Sequence, residues 1–324
     1  MGTFIARRLL QSLVSLFILM TLVFFLFRLL PADPTAVMVD AAMTPEQVER
    51  LRANFGLDKP LLVQYALYLR NVILHGDFGT SFFYRQPVFQ VLGDKILSTI
   101  ILGLATVVIS YSLGTLIGAL AAWRRGSAFE AGSIAVSLAF RAAPDFWIGM
   151  VFVMIFAYRL GWFPHSGMRE IGYVATSLWD KYVNLDFLRH LFLPALVGGL
   201  ANVATPLLLM RNAMLEVVHE EFVELARAKG LPPWRIIYLH AARNALLPVV
   251  TSLAVSVGRT IGGIVLVEVV FSWPGLGREI VLAATRYDFP VAQAAFVLIA
   301  AVVMLMNLLA DLLYAYLDPR IVYR

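Results

Sequence analysis

Four stretches of this chain run long enough without a charge to cross a bilayer, and that limits the folds open to it more than any other feature. Leu9 to Phe27, Ile96 to Trp123, Leu191 to Met210 and Phe289 to Ala310 contain no Asp, Glu, Lys or Arg. A spanning helix needs roughly 18–20 such residues, and helices or closed barrels alone satisfy their backbone polar groups in hydrocarbon. Two further apolar stretches carry ionisable residues: Ala131 to Tyr158 holds Arg141 and Asp145, and Ala245 to Phe271 holds Arg259 and Glu268. Such charges suit a span when they face the interior of a bundle. The chain therefore reads as an all-α integral membrane protein with helices near 9–30, 97–122, 133–158, 191–210, 246–271 and 291–316.

Composition agrees, with 60% hydrophobic and 15% charged residues, against roughly 45–50% and about 25% in soluble domains. The first apolar run is too long for the h-region of a signal peptide and lacks a small-residue cleavage site, so it is kept as a helix. Arg7-Arg8 reads as a cytoplasmic anchor rather than a twin-arginine export signal. With no cysteine, a disulfide, a thiolate metal site and a cysteine nucleophile are excluded. The formal charge of +5 is accounted for by basic flanks of a membrane protein, not by nucleic-acid binding.

Six crossings put both termini on one side. Arg7, Arg8, Arg124, Arg125, Arg211, Arg227, Lys229, Arg235, Arg243, Arg320 and Arg324 all fall on that side, which the positive-inside rule makes cytoplasmic. The domains predicted are an N-terminal tail and first helix (1–30), an extracytoplasmic insert (31–95), a transmembrane core (96–317) with a cytoplasmic loop at 211–245, and a tail at 318–324. In the insert, Thr44, Pro45 and Gln47 form a capping-box start with Gly56 as a stop, and Pro60 opens a second helix that Gly76 ends. Leu61, Tyr65, Tyr68, Leu69 and Val72 line one face of that second helix. These helices are expected to pack on the outer mouth of the bundle.

The 211–245 loop reads as a helix from Leu215 to Lys229 with Phe222, Leu225 and Ala226 on one face and Glu220, Glu221, Glu224 and Arg227 elsewhere. Gly230 ends it, and Pro232, Pro233 and Trp234 restart a short helix through His240 toward Leu246. A helix-turn-helix just outside the bilayer suits docking into a cleft on a cytoplasmic partner. Glu224-Leu225-Ala226, with Gly230 four residues after the alanine, resembles the EAA loop of bacterial ABC importer permeases. The wider context "FVELARAKGLPPWRIIYLHAARNALLPVV", together with "GLDKPLLVQY", "GDFGTS", "EVVFSWPGLG" and "LDPR", resembles the dipeptide/oligopeptide branch. Two departures are visible: Leu225 replaces the middle alanine of the triplet, and Leu247-Pro248 stands further from Gly230 than in the general importer pattern.

The resemblance implies a permease subunit of an ABC importer in the bacterial inner membrane, with Phe222, Glu224, Leu225, Ala226 and Gly230 coupling it to an ATPase. It also implies a homologous second permease subunit in a heterodimer, two cytoplasmic ATPase subunits that bind the ATP and magnesium, and an extracytoplasmic substrate-binding protein. The substrate classes of the branch include peptides, nickel, opines, glutathione and some oligosaccharides. The residues themselves contain no phosphate-binding G-x-x-x-x-G-K-[ST], no H-E-x-x-H and no G-x-S-x-G, so no cofactor, metal or catalytic centre is expected on this chain. An ion-coupled secondary carrier is the rival, but the six helices show no clear inverted repeat.

Arg141, Asp145, Arg259 and Glu268 are the candidate pathway residues. Arg141 and Asp145 are spaced for an i,i+4 pair unless Pro144 bends the helix between them. Arg259 has no carboxylate near it in sequence, and Gly258, Gly262 and Gly263 are expected to leave space beside it. It either lines the path or bonds groups across the bundle. Glu268 is expected near the outer interface, within reach of water, and Trp273 in the aromatic belt ahead of the Pro274-Gly275-Leu276-Gly277 turn. Asn307 and Asp311 are expected to bond across helices or to meet a flanking arginine.

The absence of native cysteine makes the orientation directly testable. Single cysteines at Glu49 and Tyr173 should react with an impermeant thiol reagent in intact cells, and one at Ala128 should not. External labelling at 128, or protection of both outer sites, reverses the assignment.

Overall fold

The computed structural model describes residues 2–29, 44, 46, 49, 58–173 and 175–317. The predicted first insert helix around 45–56 lies outside the described residues, apart from Thr44, Glu46 and Glu49. Among the described residues the secondary structure is helical, with one isolated bridge between Thr80 and Pro87. The principal helices are α1 (Gly2–Leu29), α2 (Leu61–His75), α3 (Val88–Trp123), α4 (Ala128–Ala142), α5 (Asp145–Phe152), α6 (Leu185–Asn202), α7 (Ala204–Val217), α8 (Glu221–Ala228), α9 (Leu247–Gly263), α10 (Val265–Val270), α11 (Leu276–Thr285) and α12 (Phe289–Leu317).

Three helices, Ile5–Leu29, Val88–Trp123 and Phe289–Leu312, are each long and apolar enough to span. Three bent pairs meet the same criteria: Ala128–Ala142 with Asp145–Arg159 (104°), Trp179–Asn202 with Ala204–Val217 (51°), and Pro233–Ala245 with Leu247–Gly263 (60°). Counting each pair as one crossing gives the six that the sequence predicts. The sequence shows smooth runs where the structure has bends. Pro144 stands as the N-cap of α5 in extended conformation, because its ring and missing N–H stop α4 from continuing.

The chain divides into two compact units, residues 1–99 with 274–304, and residues 100–273 with 305–324. In the first, α2 starts after Pro60 and ends on Gly76, whose φ of 64° lets its own N–H cap the Val72 carbonyl and that of Asp77 the Asn71 carbonyl. Tyr65 and Tyr68 lie against α1: the Tyr68 ring stacks on Phe24 at 5.4 Å, and the Tyr65 hydroxyl meets Thr21 Oγ1 at 2.7 Å.

Two buried carboxylates then join the segment before α3 to α11 and the start of α12. Asp288 accepts from the Ser81 hydroxyl and from the N–H groups of Phe82 (3.0 Å) and Phe83 (3.2 Å). Glu279 accepts from Tyr84 (2.9 Å) and Lys95 Nζ (2.8 Å). Burial and the hydrogen bond to Glu279 push the Tyr84 phenol above its ordinary range.

The second unit is held by close helix packing. A Cβ at Gly118 of α3 would stand 2.4 Å from the Leu207 carbonyl oxygen of α7, so only glycine permits that approach. At Gly258 of α9 the Asn307 carboxamide of α12 occupies the space, with Oδ1 2.0 Å from where a Cβ would be. The room expected beside Arg259 is thus filled on this side by Asn307, while Gly263 does lie open.

Tyr111 bonds both Ser252 (2.8 Å) and Ser256 (2.6 Å) of α9. Where α4 begins, Glu130 accepts the Gly126 N–H (2.6 Å) and two donors of Arg211, Nε at 2.8 Å and Nη2. Trp273 is fully buried against Phe187, with ring centroids 5.8 Å apart, so it is not a belt residue. Its N–H bonds the Glu268 carbonyl at 2.8 Å after Ser272 turns through φ 49°, which draws the indole inward.

Asp288 offers a direct test of the first unit. Truncating it to alanine leaves two buried N–H groups and a hydroxyl unpaired, costing on the order of 2–4 kcal/mol, whereas Asn keeps part of the network. Thermal unfolding in detergent should rank native above Asp288→Asn above Asp288→Ala.

Candidate coupling and pathway sites

The loop after α7 is built from one break and one turn. The helix predicted over Leu215 to Lys229 is two helices: α7 ends at Val217, a turn at 218–220 follows, and α8 begins at Glu221. The face assignment also changes. Val223 (0% exposed) and Ala226 (5%) point into a core shared with Val107, Ala119, Ala122, Met210, Met214, Ile236, Ala241 and Val249. Phe222 (39%) and Leu225 (56%) are exposed, as is Glu224. The reason is geometric: 223 and 226 are one helical step apart on one side, and eight residues present only a narrow stripe to the core.

The Arg227 guanidinium covers the Trp123 ring at 4.9 Å, so α8 is also tied to the end of α3. After α8, Gly230 has φ 70° with open space around its α-carbon. Pro232 then caps a short helical turn at Pro233–Arg235, which leads through a π-helical segment, Ile236–Ala241, to Ala242–Ala245 and α9. The loop therefore rests on both sides against the same core, and α8 carries two uncovered apolar side chains.

The charged residues of the spans fall into two groups. Glu268 is 0% exposed, so it does not reach water at the outer interface as expected; the turn that buries Trp273 encloses it as well. Arg141 and Arg259 are exposed, and Asp145 is half-buried. Arg141 and Asp145 form no ion pair, because the break at Ala143-Pro144 and the 104° bend take Asp145 off the face of α4. Arg141 instead donates from Nη1 to Thr205 Oγ1 of α7 at 2.7 Å. Arg259 makes no hydrogen bond or ion pair among the described residues.

Sequence reasoning missed the Glu279 and Asp288 networks, whose partners lie 184 to 207 residues away in the chain. It also missed Arg227 on Trp123. The available signal for Asp288 was a carboxylate directly ahead of a helix-starting Phe289-Pro290, which marks a turn but names no partner.

A multi-pass helical membrane protein with an amphipathic helix set outside its spans is the architecture of a membrane permease. Residues 114–323 match the family described as binding-protein-dependent transport system inner membrane component, and residues 1–103 match its N-terminal companion. The chain belongs to this family. It is 41% identical to the di/tripeptide transport system permease protein DppB of Pseudomonas aeruginosa, over 99% of both chains. It is also 37% identical to the dipeptide transport system permease protein DppB of Escherichia coli K12, over 98% of both. The oligopeptide transport system permease protein AppB of Bacillus subtilis is 35% identical over the full length of both. Among solved structures, the inward-facing MetNI methionine ABC transporter shares the fold, with TM-score 0.52 and 17% identity over 71% of this chain and 97% of that one.

Gly230 carries a prediction of its own, since its positive φ strains any β-branched residue whatever the surrounding space. Gly230→Val should insert in the membrane at native levels while binding-protein-stimulated ATP hydrolysis and uptake both fall. Normal uptake by a correctly assembled variant refutes the requirement.

Proposed function

We propose that this chain forms half of the membrane pathway of a peptide importer. The chain is an importer permease subunit and carries no chemistry of its own. The proposal adds the assembly: a homologous second permease completes the path, two ATPases dock from the cytoplasm, and a binding protein delivers the solute from outside. Both termini lie in the cytoplasm, on the side of the basic loop residues. Residues 31–95 form an insert on the outer side. Peptide-like solutes follow from the names of the full-length relatives.

The observation that carries the docking assignment is the division of α8, with Val223 and Ala226 anchored in the core while Phe222 and Leu225 stand exposed. A helix fixed on one side and apolar on the other supplies knobs for a groove on an ATPase. Glu224, beside them, sits at the rim. Because the anchor side shares its core with residues of α3, α7 and α9, movement of the docked helix passes to the spans through packed side chains. ATP-driven closure then switches the pathway between its outward and inward openings.

Co-purification tests the docking surface directly. Leu225→Glu, and more strongly Phe222→Ala with Leu225→Glu, should abolish ATPase retention while the permease pair stays intact. Full ATPase retention by the double variant removes α8 from the interface.

A further inference from the structure

Arg141, Thr205 and Arg259 stand at one level of the second unit. From Ala128 to Arg141, α4 rises about 20 Å; from Val217 back to Thr205, α7 rises about 18 Å; and from Leu247 to Arg259, α9 rises about 18 Å, at 1.5 Å per residue. The three starting points share a side, because short connections join α3 to α4 and the α8 loop joins α7 to α9. Helix α7 packs against both α4 and α9, so the helices that carry the two arginines flank it, with the arginines at matching height along them.

Their surroundings within the chain leave both charges uncompensated. Arg141 is exposed and bonds a neutral hydroxyl, at 2.7 Å. Arg259 is exposed and unpaired among the described residues. Asn202, also exposed, adds a carboxamide next to the α6–α7 break. A central arginine facing lipid costs roughly 2.5–3.5 kcal/mol, so two exposed to acyl chains at one level would impose roughly twice that. These side chains therefore face water, a polar ligand or the second permease.

We infer that Arg141 and Arg259 form a cationic station in the translocation path that receives an anionic group of the solute, the free carboxylate of a peptide being the matching chemistry. The inference rests on the reading of the chain as half of a peptide pathway. A guanidinium binds carboxylate through charge-assisted hydrogen bonds. Either of the two, at the same level, can take it while the rest of the solute remains free to vary. The Thr205 bond sets the direction of Arg141 without cancelling its charge. Such a station suits a carrier of many peptides, whose side chains differ while the carboxylate recurs.

Val255, 56% exposed and four residues before Arg259 on the same face of α9, provides the probe site. In the assembled transporter in nanodiscs, Val255→Cys is the single cysteine of this chain, and intact mass reports its modification. The reagents are an anionic sulfonatoethyl and a cationic trimethylammonioethyl methanethiosulfonate, each compared with its rate on a free thiol. A cationic station gives about a tenfold preference for the anionic reagent. Arg259→Gln combined with Arg141→Gln removes that preference, and Arg259→Lys keeps most of it.

Absence of reaction with either reagent overturns the station, because Val255 then faces lipid or a protein partner. A preference unchanged by the glutamine pair overturns it too, as does equal reactivity from the start, the result expected if carboxylates of the second permease neutralise the arginines. The reactivity ratio does not depend on coupling. Loss of ATPase retention in the α8 variants would therefore sink the docking assignment and leave this result standing, and the converse holds.

Discussion

A backbone inside hydrocarbon has no water to bond, so each N–H and C=O must find a partner within the protein. That constraint makes the chain helical, and it also dictates where the helices can break. The breaks at Ala143-Pro144, Val203 and Ile264 all lie in the second unit. The packing around the last two is dense: Ile264 is buried, Val203 is buried, and a Cβ at Gly198 or Gly199 would press on Thr106 or Ile109. A break among packed helices keeps its freed carbonyls away from lipid. A smooth helix such as α1, uncharged from Leu9 to Phe27, can face lipid directly, and α1 does show a succession of exposed leucines with Val14, Phe17 and Ile18.

Hydropathy revealed the spans because it measures the same quantity that inserts them. It could not reveal the bends, since a run such as Leu191 to Met210 is equally apolar whether straight or turned by 51° at Val203. Proline gave the break at Pro144, and Pro206 stands three residues past the one at Val203, but Ile264 carries no such mark. The buried carboxylates were illegible for a different reason. Glu279 and Asp288 pair with residues far away in the chain, and a single sequence holds no information on which distant groups converge.

The coupling loop shows the same division at smaller scale. Gly230 and Pro232 marked the end of its first helix and the restart after it, and the structure keeps both, whereas the break at 218–220 went unmarked. The sequence reading grouped Phe222, Leu225 and Ala226 on one apolar face, and the structure divides that face, leaving Phe222 and Leu225 exposed and Ala226 buried. The core instead takes Val223 and Ala226, small enough for α8 to lie close to Met210, Met214 and Ile236. Bulk left outside is what a docking surface requires, so the split of the apolar face coincides with the part of the helix assigned to a partner.

The carboxamide of Asn307 filling the notch above Gly258 binds the histories of two sites together. A side chain at 258 would have nowhere to go while asparagine stands opposite, and shortening residue 307 first would open a void between α9 and α12. Lineages can drift at either position only by passing through a poorly packed intermediate, or by changing both at once. The pair should therefore behave as one inherited character, with the glycine retained wherever the asparagine is, although the two are separated by almost fifty positions in the chain and neither touches the coupling surface.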